Sequence, residues 1–257
     1  MGFTEIPEEY LKLPQFIHQG PVNCLEGEFL LDSAESLHLT GSRRMIPGQL
    51  LRIADGSGHV MVAEFVAKDK KRAIMRKIAG PWFKDDTVPV TMLVAPLKKD
   101  RFDLAISKLS EIGVSRVVPF ITQRVRAKNF VHNFEKRLKR WSRLALEALK
   151  QSRGFKATEI ATPIEVENVE TLEVSGPKMF AWEGLCGTGS TLLSENRFPK
   201  VVAIGPEGGF TAEEVLFLKE KGFKAFGLGN RILRSETAAI FTASILCQMT
   251  AKRVHRG

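Results

Sequence analysis

Apolar residues in the first third of the chain come in short runs, and these runs predict strands. Residues 29–32 form one run. Residues 49–54 and 59–66 form two more, joined by the turn Asp55-Gly56-Ser57-Gly58, and residues 72–78 add a fourth. Together they predict a small β-barrel within residues 1–80. Residues 79–89 hold Gly80, Pro81 and Pro89 among charged side chains and read as a linker. Over residues 90–257 the pattern changes to strands alternating with helices. Residues 90–95, 116–121, 178–182, 200–204 and 223–228 are strand-like. Between them, Ala105, Leu109 and Ile112 share one face of a helix that Gly113 ends. Leu138, Trp141, Leu144, Ala145 and Ala148 mark a long helix whose other face is basic. Thr211 and Glu214 form a capping box, and that helix stops at Gly222. Ser235 is placed to cap a last helix running to about Lys252, apolar nearly all round (Ile240, Phe241, Ala243, Ile245, Leu246, Met249). Such a helix is expected to be buried on more than one side, by the core or by a second subunit. The alternation predicts an α/β fold with a mostly parallel sheet.

Two glycine-rich stretches stand out in the last quarter. Ile204-Gly205-Pro206-Glu207-Gly208-Gly209-Phe210-Thr211 and Leu228-Gly229-Asn230-Arg231-Ile232-Leu233-Arg234-Ser235-Glu236 each follow a strand and lead into a helix. Two such junctions predict two walls of one pocket at the carboxyl edge of a sheet. Neither is a P-loop or a dinucleotide fingerprint. Glycines in these loops either satisfy tight turns or let a ligand approach the main chain, and a side chain at Gly208 is expected to block such a ligand. Glu207 is a solvated turn carboxylate or a ligand contact. Arg231 and Arg234 flank the apolar pair Ile232 and Leu233, which predicts an extended loop aiming both arginines one way. Glu236 lies in a first helical turn, where a carboxylate suits the helix dipole and equally suits a catalytic role.

Composition narrows the class. No apolar run approaches about 18 residues, which argues against a membrane span. The first ten residues are acidic and mixed, unlike a signal peptide. Cys24, Cys186 and Cys247 are far apart and odd in number, and the five histidines lack ligand spacing, so buried thiols in a reducing cytoplasm are expected, with no disulfide and no metal. The net charge of +9 favours a polyanionic partner, nucleic acid first. Basic residues cluster over 68–77 and 124–143. Arg43, Arg44, Arg124, Arg126, Lys139 and Arg140 are the candidate RNA contacts.

The second half carries a longer pattern. Gly205-Pro206-Glu207-Gly208-Gly209-Phe210-Thr211, followed by Leu228-Gly229-Asn230-Arg231-Ile232-Leu233-Arg234-Ser235-Glu236-Thr237-Ala238, resembles the bacterial methyltransferases that modify N3 of a uridine in 16S ribosomal RNA, of the SPOUT or α/β-knot class. Lys108, Glu111, Gly113 and Pro119 also match that family's pattern, as do Arg140-Trp141, Glu147-Ala148 and Gln151-Ser152. His38-Leu39 and Gly48 match more weakly. The chain departs from the pattern at Gln15-Phe16-Ile17, at Leu37, at Lys150, where the family has Glu, and at Ser152-Arg153-Gly154, where it has Ser-Gly-Arg. These departures lie outside the glycine loops and bear on RNA recognition.

The resemblance implies S-adenosylmethionine as methyl donor, a knotted C-terminal domain over residues 90–257, a PUA-like barrel over residues 1–80 and a cytoplasmic homodimer on 16S ribosomal RNA or the small subunit. It implies a cofactor site of three loops: Ala181, Trp182 and Glu183; Gly205, Pro206, Glu207, Gly208 and Gly209; and Leu228, Gly229, Asn230, Ile232, Leu233 and Arg234. Arg234 is the candidate that stabilises charge on the uracil, with Glu236 as base or orienting group. The alternatives are a methyltransferase of the same fold acting on another RNA, and a non-catalytic RNA-binding assembly factor.

Overall fold

The computed structural model describes residues 5–98, 100–125, 134–172, 174–187 and 198–254. The chain divides into two compact units. One is Met1–Asp86 with Leu149–Ala157, and the other is Thr87–Ala148 with Thr158–Gly257.

The first unit holds the short helices α1 (Glu8–Leu11) and α2 (Ser33–Leu37) and five strands: β1 (Gln15–Ile17), β2 (Glu28–Leu30), β3 (Leu50–Ala54), β4 (His59–Asp69) and β5 (Arg72–Phe83). They form one sheet in the order β1-β3-β4-β5-β2, antiparallel apart from β1 beside β3. Phe16, Leu31, Leu39, Leu51, Ile53 and Met75 are buried in its core. β5 runs five residues further than its apolar pattern predicts, through what reads as a linker. Val62 pairs with Ala79 and Val60 with Trp82, so Gly80 and Pro81 fall at a break in register, where a residue without an N–H is tolerated.

The second unit holds β6 (Val88–Val94), α3 (Arg101–Ile112), β7 (Val114–Ile121), most of α4 (Phe134–Ser152), β8 (Glu159–Ile160), β9 (Ile164–Glu165), β10 (Lys178–Ala181), β11 (Val201–Ile204), α5 (Ala212–Glu220), β12 (Phe223–Phe226) and α6 (Ser235–Val254). Its strands run parallel in the order β12-β10-β11-β6-β7-β8, with β9 also paired to β7. Both faces of this sheet are covered, as continuous apolar strands require. Along β6 and β11, Met92, Val94, Val202 and Ile204 face one core with α3 and α6, while Leu93, Val201 and Ala203 face another with Val215 and Leu218 of α5. The near-uniform apolar character of α6 has its reason here: it packs on α3, β6 and β11 of its own unit.

The thiols expected to be buried are not: Cys24 and Cys186 are exposed and Cys247 is half-buried, each in a segment whose larger apolar neighbours fill the core instead. Local signals behave as the residue chemistry dictates. Gly113 ends α3 at φ 86°, a left-handed conformation that favours glycine. The capping box of α5 is formed, and Glu214 does more than cap. It is buried, accepts from Thr211 N at 2.8 Å and accepts from Gln123 N at 2.8 Å, so one carboxylate satisfies donors from two loops. Glu214→Ala is expected to destabilise the protein by about 2 kcal/mol, read as a lower urea midpoint, because both N–H groups lose a charged acceptor.

Candidate functional site

β12, β10 and β11 are neighbours and parallel, so their carboxyl ends point the same way. The loops leaving them are therefore gathered at one edge, the usual place for a ligand in an open α/β sheet. They are also tied together. Trp182 N donates to Phe226 O at 3.0 Å, and Gly187 N donates to Gly229 O at 3.1 Å. The Glu183 carboxylate occupies the place a side chain on Gly209 would need, so the first and second loops touch there.

Between the loops lies a cavity of about 460 Å³. That is within the roughly 300–1,000 Å³ usual for small-molecule sites. Its wall includes Ala181, Trp182, Glu183, Gly205, Pro206, Glu207, Gly208, Gly209, Leu228, Gly229, Ile232, Leu233 and Arg234. Of the sequence-predicted cofactor residues, Asn230 does not line it. Ile232 is 75% exposed on this wall, an apolar side chain left for something else to cover. Gly209 turns at φ 71°, and its N–H closes a turn onto Pro206 O at 2.9 Å. Both Gly208 and Gly209 line the cavity, but within the protein a Cβ on Gly208 would meet only the Arg124 side chain, whereas one on Gly209 would overlap Glu183.

Sequence reasoning passed over Arg101, which also lines the cavity. It donates from Nη1 to Glu207 Oε1 at 2.8 Å, and its Nε lies 3.8 Å from Glu236 Oε1. Its signal is a cation in the first turn of α3, the wrong sign for a helix N-terminus. Arg101 thus bridges a carboxylate of the second loop and one of the α6 start. Glu236 is 7% exposed, does not line the cavity, and has its second oxygen, Oε2, buried with no hydrogen-bond partner among the described residues. Arg234, one residue before α6, does line the cavity and is exposed. In the first turn of α5, Glu213 is held below the usual carboxylate range by its own backbone N–H, then by the Thr211 hydroxyl.

The candidate RNA contacts fall into different settings. Arg124 donates to the Gly208 carbonyl and so braces the second loop. Arg140 is paired with Asp103, whose other oxygen accepts from Trp141 Nε1 at 2.8 Å. Lys139 is exposed on the same helix, and Arg43 and Arg44 are exposed in the first unit. Arg126 lies outside the described residues. In the 68–77 cluster, Arg76 pairs with Glu28 and Glu64 and Lys77 with Glu26, which leaves Lys68, Lys70, Lys71 and Arg72 as its cations without a carboxylate partner among the described residues.

Comparison with known proteins decides the family. Residues 84–247 match the RNA methyltransferase domain family. The chain belongs to that family. Within this methyltransferase family the chain is 34% identical, over 70% of its length and 78% of the relative, to ribosomal RNA small subunit methyltransferase E of Mesomycoplasma hyopneumoniae. It is 30% identical, over 85% of its length and 72% of the relative, to the enzyme of that name from Synechocystis. Two solved structures are similar. A methyltransferase from Legionella pneumophila in complex with S-adenosylmethionine has 25% identity and a TM-score of 0.81, over 93% of this chain and 98% of that one. A ribosomal RNA small subunit methyltransferase E from Neisseria gonorrhoeae, bound to S-adenosylmethionine, has 27% identity and a TM-score of 0.78, over 92% and 98%.

Among the described residues no group of side chains is arranged to hold a metal, and no helix is long and apolar enough to cross a membrane.

Proposed function

We propose that this protein methylates N3 of a uridine in 16S ribosomal RNA, using S-adenosylmethionine. The observation that carries the reading is the cavity at the carboxyl edge of three neighbouring parallel strands, walled by glycine loops and holding Arg234. The relatives' names and the two S-adenosylmethionine complexes support it.

The wall suits that cofactor. Ala181, Leu228, Ile232 and Leu233 offer apolar surface for an adenine, and the glycine loops offer backbone groups at close approach for a ribose. When bound, the cofactor supplies an electrophilic methyl group. The residues of this chain supply the rest. Uracil N3 is a poor nucleophile until its proton leaves to solvent water at the open cavity, and the charge then spreads to the flanking carbonyl oxygens. The Arg234 guanidinium is the donor for that charge. Glu236, buried beside Arg101, is assigned to positioning rather than proton transfer, because its carboxylate is not on the cavity wall. N3 lies on the pairing edge, so the target must be unpaired or turned out of a helix.

We further infer a PUA-like RNA-binding domain in the first unit, which adds residues 149–157 to the expected 1–80, and a knotted methyltransferase domain over the rest of residues 90–257. The chain order favours a knot: from the edge strand β12 the chain doubles back past β10 to place α6 on β6 and β11. A homodimer in the cytoplasm completes the reading. Phe241 on α6 is 42% exposed and is the apolar side chain for a partner subunit to cover. Light scattering is expected to give twice the chain mass, and a monomer at micromolar concentration would remove the dimer. The central test maps modified nucleotides by mass spectrometry in ribosomal RNA from cells with and without the gene. Loss of one 3-methyluridine from 16S RNA is expected, and an unchanged map would sink the proposal.

A further inference from the structure

The first unit has a cavity of its own, about 550 Å³, that no part of the methyl-transfer reading uses. Four cations line it: Lys12, Arg43, Lys150 and Arg153. Among the described residues no carboxylate does. Lys150 is 9% exposed and its charge is met at 2.6 Å by Glu35, so the net positive charge comes from the other three. Among the described residues, Lys12 and Arg43 have no ion-pair partner, and both are exposed.

The wall that carries Lys150, Gln151 and Arg153 is held rigidly. Gln15, 4% exposed, donates from Nε2 to Leu149 O at 3.2 Å and to Gly154 O at 2.9 Å. Arg52 is buried, donates from Nη2 to Arg153 O at 3.1 Å and lies over the Phe155 ring. Burial, then the Arg153 charge, hold the Arg52 guanidinium below its usual range. Arg153 itself sits at φ 56°, a conformation that disfavours a side chain and tends to occur where function requires it. Here the order Arg153-Gly154 places arginine where the family pattern has glycine. Lys150 reverses the charge of the glutamate in that pattern. With Gln15, three departures of this chain from its family thus meet in one cleft.

A cleft this size exceeds what a phosphate alone needs. Gln49 and Gln151 add amides of the kind that read base edges, and Leu13, Met45 and Leu50 add an apolar wall for a base face. The Gln49 oxygen accepts from Ile46 N at 3.1 Å, which orients its amide donors away from that contact.

We propose that this cleft is a second RNA subsite, seating one unstacked nucleotide outside the target uridine, with Lys12, Arg43 and Arg153 on its phosphates. The proposal rests on the reading of the protein as an RNA enzyme and names a specificity site within it. Filter binding of full-length protein to protein-free 16S ribosomal RNA, over a range of salt, tests it. The double variant Lys12→Gln, Arg43→Gln is expected to bind about tenfold more weakly and to lower the slope of log affinity against log salt by about two, one per lost phosphate contact. Arg43→Lys, which keeps the charge, is expected to retain the wild-type slope. Both variants are expected to bind S-adenosylmethionine as the wild type does. Ultraviolet cross-linking is expected to attach RNA to peptides holding Arg43 or Gln151. Unchanged affinity and slope in the double variant would overturn the subsite and leave methyl transfer standing. Wild-type RNA binding that weakens as expected, in a protein that transfers no methyl group, would overturn the function and keep the subsite. No RNA binding by the wild type would overturn both.

Discussion

Arg234→Ala is expected to slow methyl transfer roughly a hundred- to thousandfold, with much smaller loss of cofactor affinity. The arginine stands on the cavity wall between the apolar pair Ile232 and Leu233 and the first turn of α6. Ala238 N donates to Arg234 O at 2.8 Å, which fixes the backbone at the helix start while the side chain stays free to meet a base. A preorganised donor aimed at developing charge is worth about 2.7–4 kcal/mol. Uniform binding of the cofactor does not depend on it, so the loss belongs in the single-turnover rate. Glu236→Gln separates positioning from proton transfer. With Glu236 buried against Arg101, its variant is expected to lose less rate than Arg234→Ala, by a factor constant across pH. A severe defect relieved as pH rises would make Glu236 the base instead. A near-wild-type rate for Arg234→Ala would leave that residue as part of the cofactor wall alone.

Gly209→Val is expected to abolish measurable binding of S-adenosylmethionine in calorimetry. Two costs fall on one residue. At φ 71° a β-branched side chain is strained by about 1–3 kcal/mol. Its Cβ would also overlap the Glu183 carboxylate, so either Glu183 or the second loop has to move, and both line the cavity. Gly208→Val is expected to be milder, because its new side chain meets the Arg124 stem at 3.2 Å, and a long exposed side chain can swing aside. Undiminished binding by Gly209→Val would show that the ligand lies elsewhere. Circular dichroism keeps the test clear of misfolding, since the loop lies outside the strand β11 and the helix α5 that it joins.

Much of the site was legible because its chemistry is local. A glycine after a strand, a threonine three residues before a glutamate and a glycine after an amphipathic run act within one or two turns. The capping box at Thr211 and the stop at Gly113 follow from such contacts. The two glycine loops were legible for the same reason, and so was their convergence, since parallel strands with helical crossovers bring loops to one edge.

Charge was the least legible property, because a run of basic residues says nothing of which carboxylates fold against it. Arg76 and Lys77 meet Glu28, Glu64 and Glu26 across strands, and Arg140 meets Asp103 from another helix. The bridge from Arg101 to Glu207 and Glu236 joins residues more than a hundred positions apart, and its local hint, a cation in the first turn of α3, does not name the partners. The return of residues 149–157 to the first unit depends on Gln15 and Arg52 reaching the Leu149 carbonyl in the last turn of α4 and the Arg153 and Gly154 carbonyls just beyond it. By itself, then, the sequence determined most of the longer elements, the α/β alternation and the loops that wall the cavity at the sheet edge, since backbone preference and hydrophobic period act at short range. Only the tertiary structure decided which charges remain open, which carboxylate is buried and where the second cleft forms, because those depend on pairings that chain distance does not predict.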